Sequence, residues 1–205
     1  MKELRRRAAA ARRAAGGVRR ARRRPRLELL RAGPVEDGLI ETVADELGRR
    51  FGVECAPGPP LPPDDAWRAG ETDVFASGAV LDAMIARRGA MADEEAPRWA
   101  MAFVASALAG EGVGEVFGEA EVEGCCAAIA LAPLRAGSGG DAEVFLARVL
   151  VSAVHELGHL AGAEHCRNDR CVMFPSSHIA DTDRKGSRFC ARCRRSLRGL
   201  RHEKA

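Results

Sequence analysis

Residues 155–165 read His155-Glu156-Leu157-Gly158-His159-Leu160-Ala161-Gly162-Ala163-Glu164-His165 and hold three of the chain's five histidines. His155 and His159 are four apart, so on a helix they stack on one face, where two imidazoles reach one metal ion at about 2.0–2.1 Å each. Gly162 falls where a helix takes a left-handed residue to turn the chain, which lets His165 swing back as a third nitrogen ligand. Three neutral ligands leave a fourth position open. A zinc ion held this way stays Lewis-acidic and brings the pKa of a water near about 7. Glu156, adjacent to the first histidine, is placed to take that water's proton as a general base. His178 and His202 have no such context and read as surface histidines.

Upstream, Val144, Phe145, Ala147, Val151 and Val154 make a buried helix that carries the histidines, with Asp141 as its N-cap after the Gly137-Ser138-Gly139-Gly140 break. Downstream come Cys166-x4-Cys171 and, after eighteen intervening residues, Cys190-x2-Cys193. Four thiolates in two close pairs match a closed tetrahedral zinc site, which holds no reactive water and is therefore structural. Its metal would add folding energy to a tail with little apolar content beyond Val172, Met173, Phe174, Ile179, Phe189 and Leu197. A redox role for Cys190-Ala191-Arg192-Cys193 is the rival, but the pair lacks a strand-to-helix setting. Cys55, Cys125 and Cys126 read as packed small residues.

The run from His155 to Cys193 resembles the signature of the archaemetzincins, zinc metallopeptidases of the metzincin clan, in which a long histidine motif leads straight into a cysteine-rich second zinc site. The resemblance covers His155, His159, His165, Glu156, Gly162, the four cysteines and Met173, which stands where the family has its Met-turn methionine; by composition alone Met173 reads as core. Val116-Phe117-Gly118-Glu119-Ala120 and the apolar strand after it are similar, more weakly, to the family's segment before the active-site helix. The sixteen residues between Met173 and Cys190 are one fewer than in the family pattern, a loop deletion that bears on the second site's geometry.

The resemblance implies an α/β (α+β) zincin fold: a twisted, mainly parallel sheet, an active-site helix, and a small zinc-stabilised C-terminal subdomain. Residues 26–162 would form the upper subdomain and 163–205 the Cys-rich lower one. It implies two zinc ions per chain and a peptide or protein substrate, which the strand near Cys125–Leu131 would accept along a free edge. Some metzincins place a tyrosine after the Met-turn to stabilise the oxyanion. This chain contains no tyrosine, so that task would fall to zinc, a backbone N–H or some other cation.

The first half alternates strand and helix, as an α/β layer does. Leu27, Leu29 and Leu30 form a strand ending at Ala32-Gly33-Pro34. A helix follows with Val35, Leu39, Ile40, Val43, Leu47 and Phe51 at three- and four-residue spacing, stopped by Gly52. Gly52–Ala56 is a second strand and Pro57–Pro63 an extended connection. A strand near Asp73–Ala76, a helix near Val80–Arg88, buried strands at Trp99–Ala107 and Cys125–Leu131, and a glycine-rich loop at Gly110–Gly114 complete the expectation; periodicity alone also allows a helix at Trp99–Ala107.

Composition narrows the setting. The 205 residues suit one domain, and 46% apolar with 30% charged residues is ordinary for a globular chain. Residues 1–26 hold eleven arginines and one lysine against Glu3, a charge of +11, which leaves −8 on the rest to reach the net +3. Residues 1–25 have too little apolar surface to fold and read as an unstructured arm. No stretch approaches a membrane span, and the arm lacks the apolar region of a secretory signal. Seven cysteines without such a signal point to a reducing, cytoplasmic setting. A monomer is expected. The competing function is a non-catalytic zinc module that binds nucleic acid or an acidic partner through the basic arm and through Arg184, Lys185, Arg188, Arg192, Arg194, Arg195, Arg198 and Arg201. Glu156 separates the two: a hydrolase needs that carboxylate and a binding module does not.

Overall fold

A computed structural model describes residues 24–70, 72–93 and 95–200; the Arg-rich arm up to residue 23 and His202 lie outside the described residues. Strand β1 (Arg26–Ala32) shows how the sheet is built. Its side chains alternate, so Leu27 and Leu29 enter one apolar cluster and Leu30 and Ala32 the other. In β4 (Trp99–Val104), Trp99, Met101 and Phe103 join the first cluster and Ala100, Ala102 and Val104 the second. A strand buried on both faces needs apolar residues at every position, and the central strand β4 has them, whereas β1 keeps Glu28 and Arg31 at half-buried positions.

The large-residue face is covered by helix α1 (Asp37–Phe51) and by the long helix α4 (Ala142–Leu160). Helix α1 buries Ile40, Val43, Leu47 and Phe51 at the expected spacing and ends at Gly52, whose φ of 66° is the left-handed stop. The opposite face of the sheet, lined with alanine, valine and cysteine, packs α2 (Ser77–Gly89) through Val80, Leu81 and Met84. Strands β2 (Glu54–Pro57), β1, β4 and β8 (Cys126–Ala130) run parallel in the order β2-β1-β4-β8.

Three features differ from the sequence reading. The free edge is not Cys125–Leu131: β8 is interior, paired on one side with β4 and on the other with the antiparallel β7 (Gly118–Ala120), which is the edge strand. Gly118-Glu119-Ala120 is too short and too weakly apolar to announce itself by alternation. The segment Trp99–Ala107 also divides, because the chain leaves the main sheet after Val104. Ala107–Gly110 (β5) instead pairs with β3 (Val74–Ala76) and with β6 (Gly114–Val116) in a small second sheet, so the Gly110–Gly114 loop is a hairpin turn. Finally, Leu131–Arg135 is a short helix, α3, after β8.

Beyond α4 the chain forms two short helices, α5 (Ile179–Lys185) and α6 (Ala191–Ser196). The tail's Val172, Met173, Phe189 and Leu200 enter the same core as the upper strands. Buried Arg148 on α4 fastens α5 with two bonds to the Asp183 carboxylate, at 2.7 and 2.8 Å, and also donates to the carbonyls of Leu134 and Ala136. Among the described residues no helix is long and apolar enough to cross a membrane.

Candidate active site and metal centres

Helix α4 begins as its sequence predicts, with the Asp141 carboxylate accepting from the N–H groups of Glu143 and Val144. At its other end the chain reverses at Gly162, φ 96°, and the Ala163 N–H returns to the Gly158 carbonyl at 2.8 Å. This turn brings His165 to the two helical histidines, so that one ring nitrogen from each lies within 4.8 Å of the others.

The rings are oriented by carbonyls from outside the helix face. His155 Nδ1–H donates to the Val172 carbonyl at 2.6 Å and His159 Nδ1–H to the Ala163 carbonyl at 2.8 Å. Both Nε2 atoms therefore keep bare lone pairs, 3.1 Å apart. Two lone pairs facing at that distance repel unless a cation lies between them. Two nitrogens held at about 2.05 Å from one ion and 3.1 Å from each other subtend about 98°, close to a tetrahedral angle. Burial lowers the pKa of all three histidines, with Lys185 adding to the effect, and takes His159 to about 4. The rings are thus neutral at neutral pH, as ligation requires. The donor set fits a metal ion.

Glu156 is buried beside them, and its Oε2 has no hydrogen-bond partner among the described residues. Burial pushes its carboxyl up to about 8, against the opposing charge of Lys185. The edge strand β7 closes over it at Gly118, where a Cβ would sit 2.6 Å from Glu156 Oε1 and 3.1 Å from the Ala128 carbonyl. Beneath the helix, Met173 is fully buried and fills the space left by Gly158; a Cβ there would strike Met173 Sδ and lie 2.8 Å from Phe189 Cε1. Gly158→Ala is therefore expected to cost about 1–3 kcal/mol in chemical denaturation, the usual overpacking range. An unchanged unfolding midpoint would mean that the helix and the Met173 segment are free to separate.

The four cysteines of the tail also converge, with all Sγ atoms within 4.8 Å and Cys166 and Cys190 3.8 Å apart. Sulfurs at about 2.3 Å on a tetrahedron lie about 3.8 Å from one another. Backbone N–H groups point at the sulfurs, Asn168 N to Cys166 at 3.5 Å and Cys190 N to Cys171 at 3.3 Å, and Arg192 approaches Cys166 at 3.9 Å. Donors aimed at sulfur stabilise thiolates, so this cluster fits a metal as well. Cys55, Cys125 and Cys126 lie apart from it. Burial pushes the Cys55 thiol up to about 12, and Cys126 is raised first by its neighbour Cys125 and then by burial. His178 is exposed at the start of α5, as expected.

Two residues of the site were missed in the sequence. Gly118 had no signal beyond its weakly similar segment. Lys185 was counted with the exposed basic stretch, whereas its side chain is buried against His155.

The profile of peptidase family M54 matches residues 100–199. The archaemetzincin of Methanocaldococcus jannaschii is 46% identical over 85 residues, 40% of this chain and 48% of that protein. The chain matches about half the length of the curated relatives it resembles. The crystal structure of archaemetzincin from Archaeoglobus fulgidus, complexed with malonate, superposes with a TM-score of 0.69 at 26% identity, covering 83% of this chain and 99% of that one. The archaemetzincin of Methanopyrus kandleri shares the fold, with a TM-score of 0.73 at 24% identity over 86% of this chain and 94% of that one.

Proposed function

Because this chain belongs, through residues 100–199, to the archaemetzincins, peptidase family M54, we propose that it is a zinc metallopeptidase with His155, His159 and His165 as ligands of a catalytic zinc and Glu156 as general base. The observation that carries this reading is the pair of bare Nε2 lone pairs 3.1 Å apart beside a buried carboxylate with an unpartnered oxygen. When bound, zinc supplies Lewis acidity toward the scissile carbonyl and toward water. Glu156 accepts a proton from that water and returns it to the leaving amine. The turn at Gly162 and the carbonyls of Val172 and Ala163 hold the imidazoles in register for this. The free edge of β7 offers backbone N–H and C=O groups to an extended peptide lying over Glu156. Cys166, Cys171, Cys190 and Cys193 hold a second, structural zinc under residues 163–200.

Digestion of a peptide library by the zinc-loaded chain tests the reading, with chelated protein as control; an absence of zinc-dependent cleavage would sink it and favour the binding module. Gly118→Ala tests the cleft more finely. Its methyl group displaces Glu156 while leaving the ligands in place, so hydrolysis should fall by about tenfold or more at unchanged zinc content. Wild-type kcat in that variant would show that β7 does not confine the carboxylate.

A further inference from the structure

We propose that Lys185 is a positioning residue for the His155 ligand, locking the turn whose carbonyl orients that ring. The proposal rests on the reading of the histidines as metal ligands. Lys185 is 5% exposed and forms no direct ion pair among the described residues; Glu156 and Asp181 offset its charge only through space, so its burial is costly unless the contacts it makes are worth keeping. Nζ donates to the Phe174 carbonyl at 2.7 Å and lies 3.2 Å from His155 Nδ1, behind the ring.

The turn it grips is tied down at nearly every polar group. The Val172 N–H donates to the Arg188 carbonyl, the Phe174 N–H to the Cys171 carbonyl, and the Met173 carbonyl accepts from Cys166. The Val172 carbonyl accepts a hydrogen bond from His155 Nδ1–H. That leaves the Phe174 carbonyl, which Lys185 satisfies. Because Nζ carries only donors, it cannot compete for the Nδ1 proton, and the Val172 carbonyl remains its acceptor. Lys185 is itself anchored, since Asp183, two residues earlier on α5, is held by Arg148 of the active-site helix. A closed circuit results, from α4 through Arg148, Asp183 and Lys185 to the turn and back to His155.

The test is titration of the full-length, metal-free chain with cobalt(II), whose imidazole and thiolate spectra report the two sites separately. Lys185→Met is expected to weaken cobalt binding at the histidine site by about 10–100-fold, the usual effect of losing an outer partner of a ligand, with the thiolate site unchanged. Equal affinity at the histidine site overturns the proposal, and so does an equal loss at both sites. If Lys185→Met does not fold, Lys185→Arg, which keeps the charge but displaces the donor, is read by the same two criteria. Wild-type protein that binds cobalt through thiolates alone would instead overturn the reading of the histidines as ligands.

Discussion

Glu156→Ala is expected to lower peptide hydrolysis by about 10²–10⁴-fold without changing the metal content of the chain, the outcome required if the carboxylate moves protons and holds no metal. The side chain is buried and its Oε2 has no hydrogen-bond partner, so removing that oxygen orphans no donor. The fold should tolerate the change, and zinc analysis with a peptide assay separates the two effects. A variant with wild-type activity would remove Glu156 from the mechanism; one that loses a zinc ion would make it a ligand.

The metal-free protein adds a pH signature to the same substitution. The carboxyl titrates near 8 in the folded chain against an ordinary value of 4.5, so the folded state holds a proton that the unfolded state has released. That contribution to stability is complete below pH 4.5 and is lost as pH rises through about 8. Relative to wild type, metal-free Glu156→Ala should therefore be more stable at pH 8 than at pH 5 in denaturation curves. A difference of the opposite sign would mean that Glu156 is ionised in the metal-free fold.

Cys171→Ser should have the largest effect on stability. Cys171 is 1% exposed, shares its sulfur cluster with Cys166, Cys190 and Cys193, and adjoins the fully buried Val172 and Met173. Free energies of about 10–16 kcal/mol accompany structural zinc in small zinc-finger peptides, so the loss of one ligand is enough to outweigh ordinary domain stability. The expected result is one zinc per chain or none, together with a large fall in melting temperature. The histidine site should weaken too, because the Val172 carbonyl that orients His155 is the next residue. Cys126→Ser serves as control and should leave the zinc content unchanged. Two zinc ions and an unaltered melting temperature in Cys171→Ser would overturn the structural-site reading.

Much of the fold was legible because its elements advertise themselves locally. Helix α1 shows its apolar spacing and its glycine stop, and α4 shows its Asp141 cap. The parallel strands β4 and β8 are apolar on both faces, so they read as continuous runs, and β1 shows itself by its leucines. The short strands β5, β6 and β7 did not, because three or four residues containing glycine carry no usable period.

The two clusters of candidate metal ligands were legible for a related reason. His155, His159, His165 and the two cysteine pairs lie at spacings that follow from helix pitch, one left-handed turn and the reach of a tight loop, all of them short-range geometry. Three decisions belong to the tertiary structure. The free edge passes from β8 to β7, because strand order depends on where the β5–β6 hairpin returns the chain. Gly118 comes to lie against Glu156, thirty-eight residues away, and only packing can report that close approach. Lys185 leaves the basic surface to which its neighbours assign it, because Arg148 pulls α5 inward and leaves the Phe174 carbonyl to be satisfied. Spacing along the chain set which atoms could gather round a metal; contacts between distant segments settled which backbone groups and which buried charge hold them there.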